Sequence, residues 1–157
     1  MQDTPQDRAV EVLQAIVRDL VAMALRSLHD SGDLSLTHLR LLLAVRDAPG
    51  SSCADLARQL HISASSVTRQ ADLLVHHGHL RRRAGDANRS VVVLELTDSG
   101  EQQVDHVLRR REEVFRQAVG VVDSDLLEAA TQGLAQISTD LTQLGWGAGA
   151  RASTAHG

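Results

Sequence analysis

The sequence contains no lysine and no tyrosine, and in 157 residues it has one cysteine, one phenylalanine and one tryptophan. Each scarcity excludes something. With Cys53 alone, no internal disulfide can form. No apolar run approaches the ~18 residues that a membrane-spanning helix needs. The opening segment, Met1 to Arg8, is polar and acidic and has neither the basic nor the apolar region of a secretory leader. These features together predict a cytoplasmic protein. There is also no glycine-rich phosphate loop, no nucleophile elbow and no convincing set of paired carboxylates or metal ligands, so no enzyme class, cofactor or metal is expected. All sixteen basic residues are arginine. Arginine suits bidentate contact with phosphate and guanine, although coding bias would leave the same mark.

What is present is ordinary for a soluble globular chain: 43% apolar and 23% charged residues. The length allows one domain or one compact subunit of a dimer. The net charge of −4 argues against a nucleic-acid partner, but its distribution argues for one. Between Ser35 and Thr97, eight arginines stand against five acids, a balance of +3 that leaves −7 for the flanking segments.

Helical spacing runs from about Pro5 to Asp30 through Ala9, Val10, Leu13, Ile16, Val17, Leu20, Ala24 and Leu28. Val12, Val21, Met23 and Leu25 lie off that stripe, so this helix needs cover on more than one side. Three shorter helices follow. Ser35 can cap one reaching about Asp47, Ser52 with Asp55 can cap one from Cys53 to Leu60, and Ser63 can cap one reaching His77. Leu80–Arg83 and Ser90–Leu96 read as strands joined by a turn-rich Ala84–Arg89. In the second strand Val92, Leu94 and Leu96 are expected on one face, with Val91, Val93 and Glu95 on the other. A long helix then starts at Thr97 or Asp98 and reaches about Val119, with Asp98 and Glu101 at capping-box spacing. A last helix runs from Asp123 to about Leu144. Its Leu127, Ala130, Leu134, Ile137, Leu141 and Leu144 step by three and four residues, as a seam for a partner helix does. Packing within the same chain would produce the same pattern.

Helix, turn, helix and hairpin in this order make a winged helix-turn-helix. In the helix after Ser63, Val67, Ala71 and Leu74 share one face; Ser65, Arg69 and Asp72 lie opposite, flanked by Ser66 and Thr68. Small polar residues let a helix sit deep in the major groove, Arg69 can reach guanine edges or phosphate, and the helix N-terminus favours a nearby phosphate.

The segment Leu56-Ala57-Arg58-Gln59-Leu60-His61-Ile62-Ser63, followed by Ser65-Ser66-Val67-Thr68-Arg69, resembles the helix-turn-helix of the MarR (multiple antibiotic resistance regulator) family. Leu73-Leu74, Gly78, Leu80 and Arg82-Arg83 continue the pattern, Asp86-Ala87-Asn88-Arg89 resembles the family's wing, and Leu96-Thr97-Asp98-Ser99-Gly100 resembles the motif that closes it. The motifs span about Leu34 to Gly100. The sequence departs from the family at Ala64, at Gln70 and at His61, which stands where glycine is frequent in the turn.

The resemblance implies a mainly α fold with a small β-hairpin wing, flanked by long N- and C-terminal dimerisation helices. The expected divisions are 1–33, 34–97, 98–144 and a disordered tail over 145–157. The resemblance also implies a homodimer, held through Leu13, Ile16, Leu20, Leu127, Leu134, Ile137 and Leu141, with its two wings on a pseudo-palindrome of double-stranded DNA. The residues expected at the DNA are Ser63, Ser65, Ser66, Thr68, Arg69, Arg83, Asp86 and Arg89. Arg89 would enter the minor groove, oriented by Asp86. A small apolar or anionic effector, held between the dimer helices and the DNA-reading unit, would release a repressor from its promoter. Because Phe115 and Trp146 are the only aromatics, ring stacking with that effector is limited. The competing reading is a winged-helix module that binds protein and not DNA.

Three further clusters have a plainer reading beside a functional one. Cys53, near a helix start, is expected to pack rather than sense oxidants. His76, His77 and His79 suit the negative end of a helix dipole better than a metal ion. Arg109 to Arg111 with Glu112 and Glu113 suit a solvated helix face, or alternatively hold an anionic effector.

Overall fold

The computed structural model describes residues 4–28, 34–85 and 89–146. Among the described residues, six helices and one hairpin follow the order α1 (Pro5–Arg26), α2 (Leu36–Asp47), α3 (Cys53–Leu60), α4 (Ala64–His76), β1 (Leu80–Ala84), β2 (Val92–Leu96), α5 (Asp98–Val119) and α6 (Ser124–Gln143). This is the mainly α, winged architecture that the sequence predicts.

Helix starts follow side-chain caps. Thr4, Ser35 and Ser52 each form a reciprocal capping box, with Asp7, His38 and Asp55 respectively. Such a cap satisfies two otherwise orphaned N–H groups. One boundary differs from the sequence reading, and at α5 the structure selects one of the two caps it offers. α1 ends at Arg26, where the Ser27 N–H turns back to the Met23 carbonyl and the Ser27 hydroxyl to that of Ala24. α5 is capped by Thr97 and not by Asp98, because the Thr97 hydroxyl accepts the Gly100 N–H at 3.1 Å.

The core sits within the winged unit and the first half of α5. Leu39, Leu41, Leu42, Leu56, Val67, Leu74, Leu80, Leu94, Val104 and Val107 are the largest fully buried side chains. Burying each contributes about 1.5–3 kcal/mol. β1 and β2 pair antiparallel with Leu80 opposite Leu96, Arg82 opposite Leu94 and Ala84 opposite Val92. The strict alternation expected along β2 is broken: Val93 and Leu94 are both buried, whereas Val92 is 51% exposed. The reason is a third segment. Ser52 bridges Val93, and the Ser51 carbonyl accepts the Leu94 N–H at 3.2 Å. The loop before α3 thereby covers the second face of the strand.

α1 and α6 contain no buried residue. Ile16, Val17, Leu20 and Val21 of α1 and Leu126, Leu134 and Leu141 of α6 are exposed apolar side chains. None of the helices among the described residues is long and apolar enough to cross a membrane.

Candidate nucleic-acid interface

The turn between α3 and α4 sets the aim of α4. The His61 N–H donates to the Arg58 carbonyl and the Ile62 N–H to that of Ala57, a Schellman closure in which His61 takes a left-handed φ of 55°. Ser63 then caps α4 by accepting the Ser66 N–H at 3.2 Å, and its hydroxyl also lies 2.8 Å from that of Ser66 and 3.1 Å from that of Ser65. Val67, Ala71 and Leu74 are fully buried, so the opposite face of α4 points to solvent. There Ser65, Thr68, Arg69 and Asp72 are exposed, while Ser66 is half-buried. Thr68 returns its hydroxyl proton to the Ala64 carbonyl at 2.9 Å. The outward surface is therefore low, polar and basic over its first two turns.

The hairpin stands beside this face and is tied to it. Arg82 donates to Asp72 on α4 at 2.6 Å. Arg81 and Arg83 both hold Glu95 across the strands, at 3.0 and 2.6 Å. Those two guanidiniums, Arg83 foremost, keep the Glu95 carboxyl below its ordinary value. At the base, Thr97 locks the hairpin to α5: its N–H donates to the His79 carbonyl at 3.1 Å and its hydroxyl to that of Gly78 at 2.5 Å. His79 rests against Ser99, and burial, with the neighbouring His77, lowers its pKa. The Gly85 N–H closes the wing on the Val91 carbonyl at 2.8 Å. Arg89 is exposed on the far side of the turn. Asp86, expected to orient it, lies outside the described residues.

Pairing separates the eight arginines between Ser35 and Thr97 into two groups. Arg46 pairs with Asp105, Arg58 with Asp55, Arg82 with Asp72, and Arg81 and Arg83 with Glu95. Asp55 is itself held below its ordinary value, chiefly by the Ser52 hydroxyl and amide. Among the described residues Arg40, Arg69 and Arg89 enter no ion pair. Arg69 on α4 and Arg89 on the wing thus keep their charge available to a ligand, whereas Arg83, expected at the DNA, has its Nε engaged by Glu95.

The sequence reading missed the Asp72–Arg82 tie because the two are ten residues apart and on different elements. The Arg81–Glu95 pair was more accessible, since strand register places them directly opposite. The three histidines keep ring-centroid separations of 5.7 Å (His76–His77) and 6.4 Å (His77–His79). Among the described residues no cluster of three or more His, Cys, Asp or Glu side chains could hold a metal ion.

A capped recognition helix with an outward polar-basic face, tied to a two-stranded wing, defines a winged helix-turn-helix protein. Residues 32–89 match the model of the MarR family. The HTH-type transcriptional repressor MdtR of Bacillus subtilis is 26% identical over 127 residues, covering 79% of this chain and 81% of the relative. FabT of Streptococcus pneumoniae, solved in complex with DNA, shares the fold with a TM-score of 0.76 at 20% identity, over 88% of this chain and 99% of FabT. BpsR of Bordetella bronchiseptica, whose DNA binding is regulated by 6-hydroxynicotinic acid, shares it with a TM-score of 0.61 at 20% identity, over 88% of this chain and 98% of BpsR. Over residues 32–89 the chain is thus similar to the MarR family, and its fold is that of the winged helix-turn-helix proteins with which it aligns.

Proposed function

We propose that this regulator is a cytoplasmic homodimer that represses transcription by binding pseudo-palindromic promoter DNA and releases it when a small effector binds. The observation that carries the reading is the pairing pattern: Arg69 on α4 and Arg89 on the wing stand exposed and, among the described residues, without ion pairs, while the arginines of β1 are engaged by Asp72 and Glu95. α4 enters the major groove with Ser65, Ser66, Thr68 and Arg69 toward the bases. Ser63 places the helix N-terminus at a phosphate, and Arg89 reaches the minor groove. Arg83 serves the wing's shape through Glu95 and lines the phosphate backbone.

The dimer rests on residues 1–33 and 98–144. Leu13, Leu127 and Ile137 are half-buried and Ile16, Leu20, Leu134 and Leu141 exposed, so each has apolar area left for a second copy to cover. An effector acts by favouring one spacing of the two recognition helices.

The experiment is fluorescence anisotropy of the protein against its own upstream intergenic DNA and a scrambled duplex at several salt concentrations. Tight, sequence-selective binding that falls with salt supports the reading, because neutralising phosphates releases counterions. Weak, equal binding to both duplexes and to a random-sequence pool would favour a protein-binding module instead.

A further inference from the structure

His79 stands at a three-way junction. Its N–H closes the end of α4 on the Leu74 carbonyl at 2.8 Å, and the Gly78 N–H turns back to that of Val75 at 3.0 Å, with Gly78 at a φ of 76°. Its carbonyl receives the Thr97 N–H at the start of α5, and the Thr97 hydroxyl bonds the Gly78 carbonyl beside it. The His79 carbonyl lies so close to Gly100 that no Cβ fits between them. The recognition helix, the wing and α5 are thus joined through Gly78 and His79. The His79 side chain is part of the joint. It is half-buried, its Nδ1 lies 3.2 Å from the Ser99 hydroxyl in the first turn of α5, and its ring stands edge-on to that of His77 at 6.4 Å. His76 adds a third ring, 5.7 Å from that of His77.

The groups around His79 oppose a positive charge on it. α5 presents its N-terminus, the positive end of its dipole, and His106 and Arg109 line the same shallow groove as Ser99. The first-turn carboxylates of α5, Asp98 and Glu101, are exposed, and among the described residues neither pairs with a histidine. α4 presents His76 and His77. On the hairpin, Glu95 is engaged by Arg81 and Arg83, and Asp72 of α4 by Arg82. Burial, and then the like charge of His77, hold the His79 pKa below its ordinary value of 6.5. A lowered folded value contributes stability that is present above pH about 6.5 and is lost as pH falls through the folded value. We propose that this histidine cluster makes the joint an acid-sensitive lock, closed while His79 is neutral and loosened when it takes a proton. The proton charges a ring held between His77 and the α5 N-terminus, and moving the start of α5 away from the α4–β1 corner relieves the repulsion. The Thr97 bonds to Gly78 and His79 lie across that gap. Histidine is the side chain suited to such a switch near neutral pH. The lock goes beyond the function proposed above and does not rest on it. Where that function holds, acidification uncouples α4 and the wing from α5 and weakens DNA binding.

The test is an NMR titration of the full chain without DNA, from about pH 8 to about pH 5, that follows the histidine rings and the backbone amides together. The His79 ring is expected to titrate below the ordinary histidine value. The Thr97 and Gly100 amide signals should shift with the same midpoint. Their hydrogen exchange, corrected for its intrinsic dependence on pH, should rise about fivefold or more below that midpoint. His79→Asn keeps a side chain that can hydrogen-bond Ser99 but cannot charge, and it should leave both amides unresponsive. His77→Gln changes an exposed side chain, so it should leave the fold intact while raising the His79 midpoint and carrying the amide midpoint with it. Thr97 and Gly100 amides that stay equally protected throughout the titration overturn the proposal. So does an equal response in His79→Asn, or an amide midpoint that does not follow His79 in His77→Gln.

Discussion

Replacing Gly100 by alanine tests how the wing is locked to the dimer helices. Gly100 is buried in the first turn of α5. A Cβ there would stand 2.1 Å from the His79 carbonyl oxygen, 2.9 Å from Leu96 Cδ2 and 3.1 Å from the His79 carbonyl carbon. The closest obstacle is backbone, and that same carbonyl receives the Thr97 N–H. Relief therefore requires the start of α5 to move by about 1 Å from the α4–β1 corner, an overpacking that costs about 1–3 kcal/mol. Weakening the Thr97 bonds to His79 and Gly78 adds about 1–2 kcal/mol. The helix preference of alanine over glycine returns about 1 kcal/mol. The net loss is about 1–4 kcal/mol, or a fall of roughly 2–16 °C in melting temperature for a chain of this size. Thermal unfolding followed by circular dichroism measures it. Gly133→Ala in α6 is the control: its Cβ meets nothing within 4 Å, and it lies outside the seam positions, so it should hold or raise the melting temperature. A Gly100→Ala protein as stable as the parent would refute the tight junction and with it the account of why Thr97-x-x-Gly100 closes the wing.

Four other outcomes are expected. Arg89→Ala should weaken operator binding by about 1–3 kcal/mol without lowering the melting temperature, as read by anisotropy; unchanged affinity would remove the wing from the interface. Leu134→Asp should yield monomers in analytical ultracentrifugation and abolish operator binding, because it places a charge in the proposed seam; a stable dimer would show that α6 packs elsewhere. His61→Gly should stabilise the fold slightly, by up to about 1 kcal/mol, and His61→Val should destabilise it, because only the former relieves the positive φ; equal melting temperatures for the two would contradict the turn geometry. The Glu95 carboxyl is held below its ordinary value of 4.5 by Arg83 and Arg81. A depressed folded value contributes stability that is present above pH about 4.5 and is lost as pH falls through the folded value. Glu95→Gln should flatten the acid limb of the stability profile, and an unchanged limb would mean that the cross-strand pairs contribute nothing.

The helices were legible in the sequence because their signals are local. Ser35, Ser52 and Ser63 cap the helices that they were expected to cap, since a hydroxyl one turn from an unsatisfied N–H acts whatever the rest of the chain does. Val67, Ala71 and Leu74 declared the inner face of α4, and so its outer one, by period alone. The order of helix, turn, helix and hairpin followed. What required the tertiary structure was everything that joins distant segments. The Ser51–Ser52 loop completes the sheet and buries Val93. Asp72 engages Arg82, and Glu95 engages Arg81 and Arg83, so that of the arginines on α4 and the hairpin only Arg69 and Arg89 enter no ion pair among the described residues. Trp146 lines one cavity with Arg40 and Asp47 across about a hundred residues of chain. A local pattern carries information about its own helix; which charges cancel, and which remain to meet a ligand, is a property of through-space neighbours that no spacing along the chain encodes.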